Sequence, residues 1–246
     1  SLANRVKAKL GINNPAILTN DVTSGCPGWT TAMIIADAYI KSGIFKRGLV
    51  VGADVLSRVA DPYDRDRMIF SDGAGAVIVE AVESEEPVGI LSHASRSDYD
   101  HNMLVMGSSV NPENPKAYKY LRMLGAKVYA YALSTVPGVV KESLDKAGFT
   151  LSDISKVLIH QANEKMDEAI LSRVFRLYGV RDYDKKIMPM TIQRFGNSST
   201  ATVPTLLDLI LKDKMEDHQI AKGDVIILTS VGAGMTINSI VYKMPK

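Results

Sequence analysis

The chain has 246 residues, 46% hydrophobic and 23% charged, a composition typical of a globular protein with a sizeable core. Its formal net charge of +2 excludes the broad field expected of a nucleic-acid-binding protein or of one that binds an anionic membrane. The single cysteine cannot form an internal disulfide and favours a reducing, cytoplasmic compartment. No apolar run reaches the ~20 residues that span a bilayer, and residues 1–5 lack the apolar stretch of a signal peptide.

The elements predicted for the first half alternate between helix and strand and end in a long polar loop. The helix over 27–42 has apolar residues around most of its circumference, which predicts burial on several sides. In chain order the elements are a short helix ending near Leu10, a strand over 16–22, the helix over 27–42, a strand starting at Arg47, a polar loop over 61–72, a strand over 74–81 and a polar loop over 92–116.

The second half has the same alternation, which predicts an α/β fold with a largely parallel, buried sheet. Its elements are a helix over 119–148 with a kink near Pro137, a strand over 157–159, an amphipathic helix over 165–178, a helix over 200–215 and strands over 225–229 and 236–242.

Two segments share one plan, in which a polar loop is followed by a helix, a strand, a Gly-Ala-Gly turn and a second strand. A loop–helix–strand order also recurs by chance in α/β proteins, but the matching turns at 73–75 and 232–234 favour a duplicated domain. The repeat places Cys26 and Asn197 at equivalent positions, each just before a helix.

The second copy of this plan is preceded by a strand and a helix, whereas the first copy is preceded only by residues 2–12. We therefore expect that this chain lacks an N-terminal portion of the first half. The predicted domains are residues 1–118, truncated at their start, and residues 119–246.

Cys26 is the first candidate for chemistry. A lone cysteine is most often a small buried apolar residue. Here Pro27 suits the first position of a helix, so Cys26 falls at or next to the N-cap. The helix dipole and the free N–H groups there predict a lowered thiol pKa. Gly25 and Gly28 leave room for a substrate near the backbone.

His160 and Asn197 are the other candidates. His160 follows the strand over 157–159, at the end of the sheet where α/β proteins hold ligands, although a histidine there also serves as a purely structural hydrogen-bonding group. Asn197 lies in a Gly-Asn-Ser-Ser loop, and asparagine is a common helix cap. Its equivalence with Cys26 is the only argument from the residues themselves for a function.

The remaining patterns do not indicate a metal or phosphate site. The Gly-Ala-Gly turns match neither the dinucleotide nor the P-loop pattern. The cluster of His93, His101, Asp98 and Asp100 fits a flexible polar loop better than a set of metal ligands. We predict no metal and no bound cofactor.

Seven motifs can be read together: Ser24-Gly25-Cys26-Pro27-Gly28-Trp29, residues 49–54, residues 70–76, residues 111–114, His160-Gln161-Ala162-Asn163, residues 196–199 and residues 231–234. As a set they resemble the β-ketoacyl-acyl-carrier-protein synthase III family of the thiolase superfamily, and the resemblance runs nearly end to end. Degradative thiolases use a second cysteine, and this chain has only one.

The resemblance implies a five-layered αβαβα thiolase-like fold of two duplicated halves, the first incomplete in this chain, in a homodimer. It implies a ping-pong reaction in which Cys26 takes an acyl group from an acyl-CoA primer. The acyl group is then condensed with malonyl-acyl-carrier protein, which starts fatty-acid synthesis. Coenzyme A enters as a substrate rather than a cofactor, and neither nucleic acid nor a membrane is an implied partner.

The resemblance also implies a role for each matching residue. The backbone N–H groups of Cys26 and Ala233 hold the acyl oxyanion. His160 and Asn197 donate hydrogen bonds to the malonyl thioester carbonyl. The remaining matches are Arg65 and Asn163 for substrate or coenzyme A binding and Lys165 for carrier-protein binding.

Three other hypotheses remain open. The residues near the acyl site depart from the family pattern, so a condensing enzyme or acyltransferase of secondary metabolism, of polyketide, quinolone or resorcinol type, is the second hypothesis. A non-catalytic thiolase-fold subunit is the third, against which the intact Cys26, His160 and Asn197 argue. A Cys-His-Asn protease is the fourth, but the sequence around Cys26 does not resemble one. The departures are Pro27, Ser71, Val231, Ala233, Ile237 and Asn238.

Overall fold

A computed structural model describes residues 1–99, 103–113 and 118–246. Asp100 and His101 of the candidate metal cluster, and Asn114 of one motif, lie outside them. The α-helices are α1 (Leu2–Lys9), α2 (Gly28–Lys41), α3 (Gly125–Ala147), α4 (Glu164–Leu177), α5 (Ile192–Phe195) and α6 (Thr202–Leu211). The strands are β1 (Arg47–Val55), β2 (Asp72–Glu80), β3 (Gly89–Ser97), β4 (Leu104–Gly107), β5 (Tyr120–Met123), β6 (Ile154–Ile159), β7 (Val225–Gly232) and β8 (Thr236–Lys243).

The strands form three sheets. β1 pairs with β2, β4 pairs with β5, and a four-stranded sheet has the order β3-β8-β7-β6. Within the described ranges only β6 and β7 run parallel, so the prediction of a largely parallel sheet was wrong. In both copies of the repeat, the helix is followed by two strands that pair antiparallel, which agrees with the duplicated plan.

These elements stack in four layers: the β1–β2 pair, then α2 and α6, then the four-stranded sheet, then α3 and α4. β7 is buried on both faces, with Ile226 and Leu228 in the core under α2 and α6, and Val225 and Ile227 in the core under α3 and α4. The continuous apolar run forms a central strand because successive side chains enter different cores.

The outer face of the β1–β2 pair is apolar and exposed, whereas Val50 on the inner face packs toward α2. The exposed side chains include Leu49, Val51, Val55 and Ile78. A fifth layer over this face is not formed by the residues that the structure describes. β3 joins the sheet that β6, β7 and β8 build, and the predicted domain boundary after residue 118 stays a prediction.

Most predicted helices are present, with shifted ends. α1 stops before Gly11, whose φ of 69° ends the helix as predicted. The strand predicted over 16–22 is wrong, because these mostly exposed residues pair with no described strand. The loop predicted over 92–116 contains the end of β3 and all of β4, and residues predicted to open a helix at 119 form β5 instead. α2 buries only Gly28, Trp29, Thr30 and Met33, fewer than predicted.

None of the helices in the described ranges is long and apolar enough to cross a bilayer.

Candidate active site

Cys26 lies next to the N-cap of α2, as the sequence predicted. The N-cap itself is Pro27, which was predicted one position later, at the first helical residue. The loop at 232–234 packs against it almost without side chains. An ideal Cβ on Gly232 would lie 2.8 Å from the Cys26 Cβ, and one on Gly25 would lie 3.0 Å from the Ala233 Cβ. The two loops therefore pack closely: an ideal Cβ on Gly232 would lie 3.0 Å from the backbone N of Cys26, and one on Gly25 would lie 3.3 Å from the backbone N of Ala233. The role of these N–H groups as oxyanion donors stays a prediction.

Asn197 lies in a loop of the second half that is held by the first half. Its N–H donates to the Ile69 carbonyl at 2.7 Å, and its carbonyl accepts from the Ser71 N–H at 2.9 Å. The side-chain Oδ1 of Asn197 accepts from the Ser199 N–H at 2.9 Å. Because the amide oxygen is used in this way, the Nδ2 group of the buried side chain is left as the donor.

Ser199 connects the three candidate residues. Its hydroxyl donates to the Cys26 Sγ at 3.6 Å, and its carbonyl accepts from the Thr202 hydroxyl at 3.0 Å. The Thr202 Oγ1 lies 2.7 Å from the Nδ1 of His160. Ser199 has a φ of 55°, a left-handed conformation that non-glycine residues adopt rarely and that Asp213 and Met235 also have in this chain. Ser199 and Thr202 were not predicted as site residues, although Ser199 belongs to the Gly-Asn-Ser-Ser motif.

These hydrogen bonds favour one tautomer of neutral His160. The Thr202 hydroxyl has one hydrogen, and it is donated to the Ser199 carbonyl. With the hydroxyl hydrogen placed there, the same oxygen accepts from an Nδ1–H of His160, and the Nε2 atom of the neutral ring has the lone pair. In this tautomer, neutral His160 is an acceptor at Nε2 and becomes a donor there only as an imidazolium.

Burial decides the resting protonation of the site. It raises the pKa of Cys26 to about 11, and the hydrogen bond from Ser199 lowers that pKa by less. Burial also lowers the pKa of His160 to about 4. The predicted lowering of the Cys26 pKa was therefore wrong, because burial, which removes water from the thiolate, is the largest cause acting on this pKa. Part of the Cys26 surface remains accessible, so at neutral pH the site presents a reachable thiol beside a neutral imidazole.

The three remaining predicted residues lie apart from this network. The side chain of Arg65 is 95% exposed, and its Nε lies 3.8 Å from the Oδ1 of Asp66. Asn163 caps α4 by accepting from the Met166 N–H at 3.2 Å. Lys165 is exposed in the first turn of α4 and lines a groove of about 600 Å³. Their proposed contacts with coenzyme A and a carrier protein stay predictions.

The polar residues near the end of β3 bond to neighbours in the protein. Asp98 accepts hydrogen bonds from Arg96 and from the Tyr131 hydroxyl. Across residues 1–99, 103–113 and 118–246, no group of three or more His, Cys, Asp or Glu side chains could hold a metal ion.

Residues 20–99 match the family model of 3-oxoacyl-[acyl-carrier-protein] synthase III, and residues 144–244 match the model of its C-terminal part. The chain belongs to this family. It is similar to β-ketoacyl-[acyl-carrier-protein] synthase III 1 of Vibrio vulnificus, with 38% identity over 99% of this chain and 72% of the relative. The synthase III of Rhodospirillum centenum is 35% identical over 95% of this chain and 69% of its own length.

Solved structures of synthase III enzymes share the architecture. The enzyme of Pseudomonas aeruginosa superposes with a TM-score of 0.83 at 30% identity, over 100% of this chain and 72% of its own. The priming β-ketosynthase of a polyketide pathway superposes with a TM-score of 0.84 at 27% identity, over 99% of this chain and 70% of its own. The predicted thiolase-like fold is thereby confirmed, and the protein is an acyltransferase of the synthase III type.

Proposed function

We propose that the protein condenses an acyl-CoA primer with malonyl-acyl-carrier protein through a thioester on Cys26, which initiates fatty-acid synthesis. The network in which Ser199 joins Cys26, His160 and Asn197 carries this proposal. The names of the synthase III relatives support the substrate class.

In the first half-reaction, the Cys26 thiol must lose its proton before it can attack. The Nε2 lone pair of neutral His160 accepts that proton, and the thiolate adds to the acyl-CoA carbonyl. The N–H groups of Cys26 and Ala233 stabilise the oxyanion. The carbon–sulfur bond to coenzyme A then breaks, and the leaving thiolate takes the proton from His160. His160 is neutral again, and Cys26 carries the acyl group.

In the second half-reaction, the malonyl thioester carbonyl lies between the Nδ2 group of Asn197 and the Nε2–H of His160, which now has a proton taken from solvent. Loss of carbon dioxide leaves an enolate, and removing one donor to such a charge typically costs ~3–4 kcal/mol. The enolate carbon attacks the acyl thioester, Cys26 leaves as a thiolate, and His160 returns a proton to it. The product is a β-ketoacyl thioester.

A condensing enzyme of secondary metabolism is the second candidate. It is favoured by the similarity to a polyketide priming β-ketosynthase and by Asn238, whose buried amide donates to the hydroxyls of Thr30 and Thr31 on α2. A polar group in this place differs from the pattern that the family resemblance leads us to expect near the acyl site. The two candidates share the chemistry of Cys26 and differ in the primer.

The proposal includes three further statements. The carrier protein docks near Lys165, and Arg65 and Asn163 contact the substrate or coenzyme A. The enzyme acts as a homodimer. It works in the cytoplasm, which the single cysteine, active as a thiol, supports.

Intact mass spectrometry after incubation with acyl-CoA thioesters of graded chain length tests the first half-reaction. We expect one acyl adduct that maps to Cys26, and none with Cys26→Ala. Short unbranched primers would favour fatty-acid initiation, whereas a preference for unusual primers would favour the second candidate. Condensation that survives in Cys26→Ala would contradict the proposed nucleophile.

A further inference from the structure

Asp167 is a buried acidic residue that the mechanism above leaves without a role. It lies in the first turns of α4 with 1% of its surface exposed. Neither of its carboxyl oxygens makes a hydrogen bond of good geometry with the residues that the structure describes, although the N–H groups of Ala162 and Asn163 lie near them. Buried polar groups in proteins are nearly always paired, so an unpaired carboxyl requires a reason.

The inward face of α4 makes Asp167 more unusual. The other buried positions of the helix are apolar, namely Met166, Ile170, Leu171, Val174 and Phe175. A leucine or an isoleucine at position 167 would complete this face and stabilise the helix against the core. A carboxyl in its place lowers stability, and residues that lower stability in this way cluster at functional sites.

The surroundings of Asp167 connect it to His160. The chain runs from His160 through a short loop to the N-cap Asn163, and the N–H groups of Ala162 and Asn163 lie close enough to the carboxyl to lower its pKa. The charged groups that act on Asp167 are His160, with opposite sign, and the exposed Glu164, with like sign. Burial outweighs these contributions and raises the pKa of Asp167 well above its ordinary value.

The pKa of His160 is affected by burial and by Asp167 in opposite directions. Burial lowers the pKa of His160, and the negative charge of Asp167 is the first cause that raises it. Imidazolium in this site would otherwise be an unpaired buried charge, which is costly. Both half-reactions need that imidazolium, first as the holder of the Cys26 proton and then as a hydrogen-bond donor.

We infer that Asp167 is a positioning residue of the condensation reaction, a buried carboxyl that pairs electrostatically with His160 and makes its imidazolium form accessible. With Asp167 as a carboxylate and His160 neutral, the Nε2 of His160 accepts the Cys26 proton, and the carboxylate balances the imidazolium that forms. Return of that proton to the leaving thiolate restores the starting forms of both groups. This inference rests on the proposed function for its place in the reaction.

Alkylation of Cys26 by iodoacetamide tests the inference without any natural substrate. Cys26 is the only cysteine, so the rate of mass increase from pH 5 to pH 10 reports its thiolate. In Asp167→Asn the imidazolium loses its counter-charge, so we expect the alkylation rate to fall about tenfold at each pH in this range, which corresponds to a thiol pKa about one unit higher. Asp167→Leu should show the same profile, and both variants should melt at or above the wild-type temperature.

Glu168→Gln is the matched control, because Glu168 is the next residue of α4 and is exposed. Its alkylation profile should follow the wild type. A wild-type profile in both Asp167 variants would overturn the inference. Acylation by acyl-CoA is measured separately: if the wild type forms no adduct with any thioester while the Asp167 variants still shift the alkylation profile, the proposed function fails and the pairing with His160 stands.

Discussion

The side chain of Asn197 has two ends with different tasks. Its oxygen accepts from the Ser199 N–H and so holds the loop that also positions the Ser199 hydroxyl against Cys26. Its nitrogen remains for a substrate. One amide thus supports the structure around the nucleophile and supplies a donor, and the two tasks can be separated by changing the nitrogen alone.

Asn197→Asp keeps an oxygen for the Ser199 N–H and removes the NH₂ group. We expect the release of carbon dioxide from malonyl-acyl-carrier protein to fall by ~100- to 1,000-fold, as when one oxyanion donor is lost. Acylation of Cys26, followed by intact mass, should change only several-fold. Asn14→Asp, in an exposed loop, is the control. Equal losses in both half-reactions would contradict the assigned role.

The ionisation of Cys26 shows why some site properties could not be predicted from the sequence. The Gly-Cys-Pro-Gly order correctly predicts a cysteine at a helix start, because Pro27 has a local conformational preference. The pKa depends instead on how much water the loops at 196–199 and 232–234 exclude, and these are remote in sequence. The one indication of Asp167 in the sequence is weak: it is a single charged residue on the apolar face of a predicted helix.

Secondary structure was predicted well where local periodicity decides it. α2, α4 and β7 lie close to their predicted ranges, because their apolar spacing is helical or continuous. The strand predicted over 16–22 was wrong, since a strand also needs a neighbour to bond with, and the sequence does not reveal where one lies. The β4–β5 hairpin was missed because its strands have four residues each.

The end of β7 requires glycine at position 232 because of its contact with the nucleophile. In Gly232→Ala, the new Cβ would lie 2.8 Å from the Cys26 Cβ and from the Pro27 Cδ, so the loops must separate. We expect a loss of ~1–3 kcal/mol in the free energy of unfolding. Acylation by acyl-CoA should fall further than stability alone explains, because the oxyanion donors move apart.

Gly138→Ala provides the comparison for this loop. Gly138 lies inside α3, and a Cβ there meets nothing within 4 Å. Alanine should stabilise the helix by ~0.5–1 kcal/mol and leave acylation unchanged. Urea unfolding and mass spectrometry measure the two quantities in both variants. Normal acylation by Gly232→Ala would show that the close contact between the loops is not needed for the oxyanion hole.

On the scale of the whole molecule, a net charge of +2 gives no strong attraction to an acidic carrier protein. Attraction must come from a local patch. Lys165, Lys185 and Lys186 line one groove beside α4, the helix that follows His160. The Nζ of Lys185 lies 3.4 Å from a carboxyl oxygen of Glu168, and the Nζ of Lys186 lies 3.6 Å from one of Asp217. No ion pair of Lys165 occurs within the described ranges. Lys165 is therefore the cation most available to a partner.

Lys165→Glu should weaken docking of the carrier protein and leave the first half-reaction intact. We expect the KM for malonyl-acyl-carrier protein to rise about tenfold, because a reversed rim charge slows association. The rate of Cys26 acylation from acyl-CoA should stay at the wild-type value. Lys222→Glu, which makes the same charge change in the exposed segment before β7, should leave both values unchanged. The difference in KM between the two variants should shrink as salt is raised from about 50 to about 500 mM, because screening of the surface charges becomes strong over this range. A KM that rises equally in both variants would place the docking surface elsewhere.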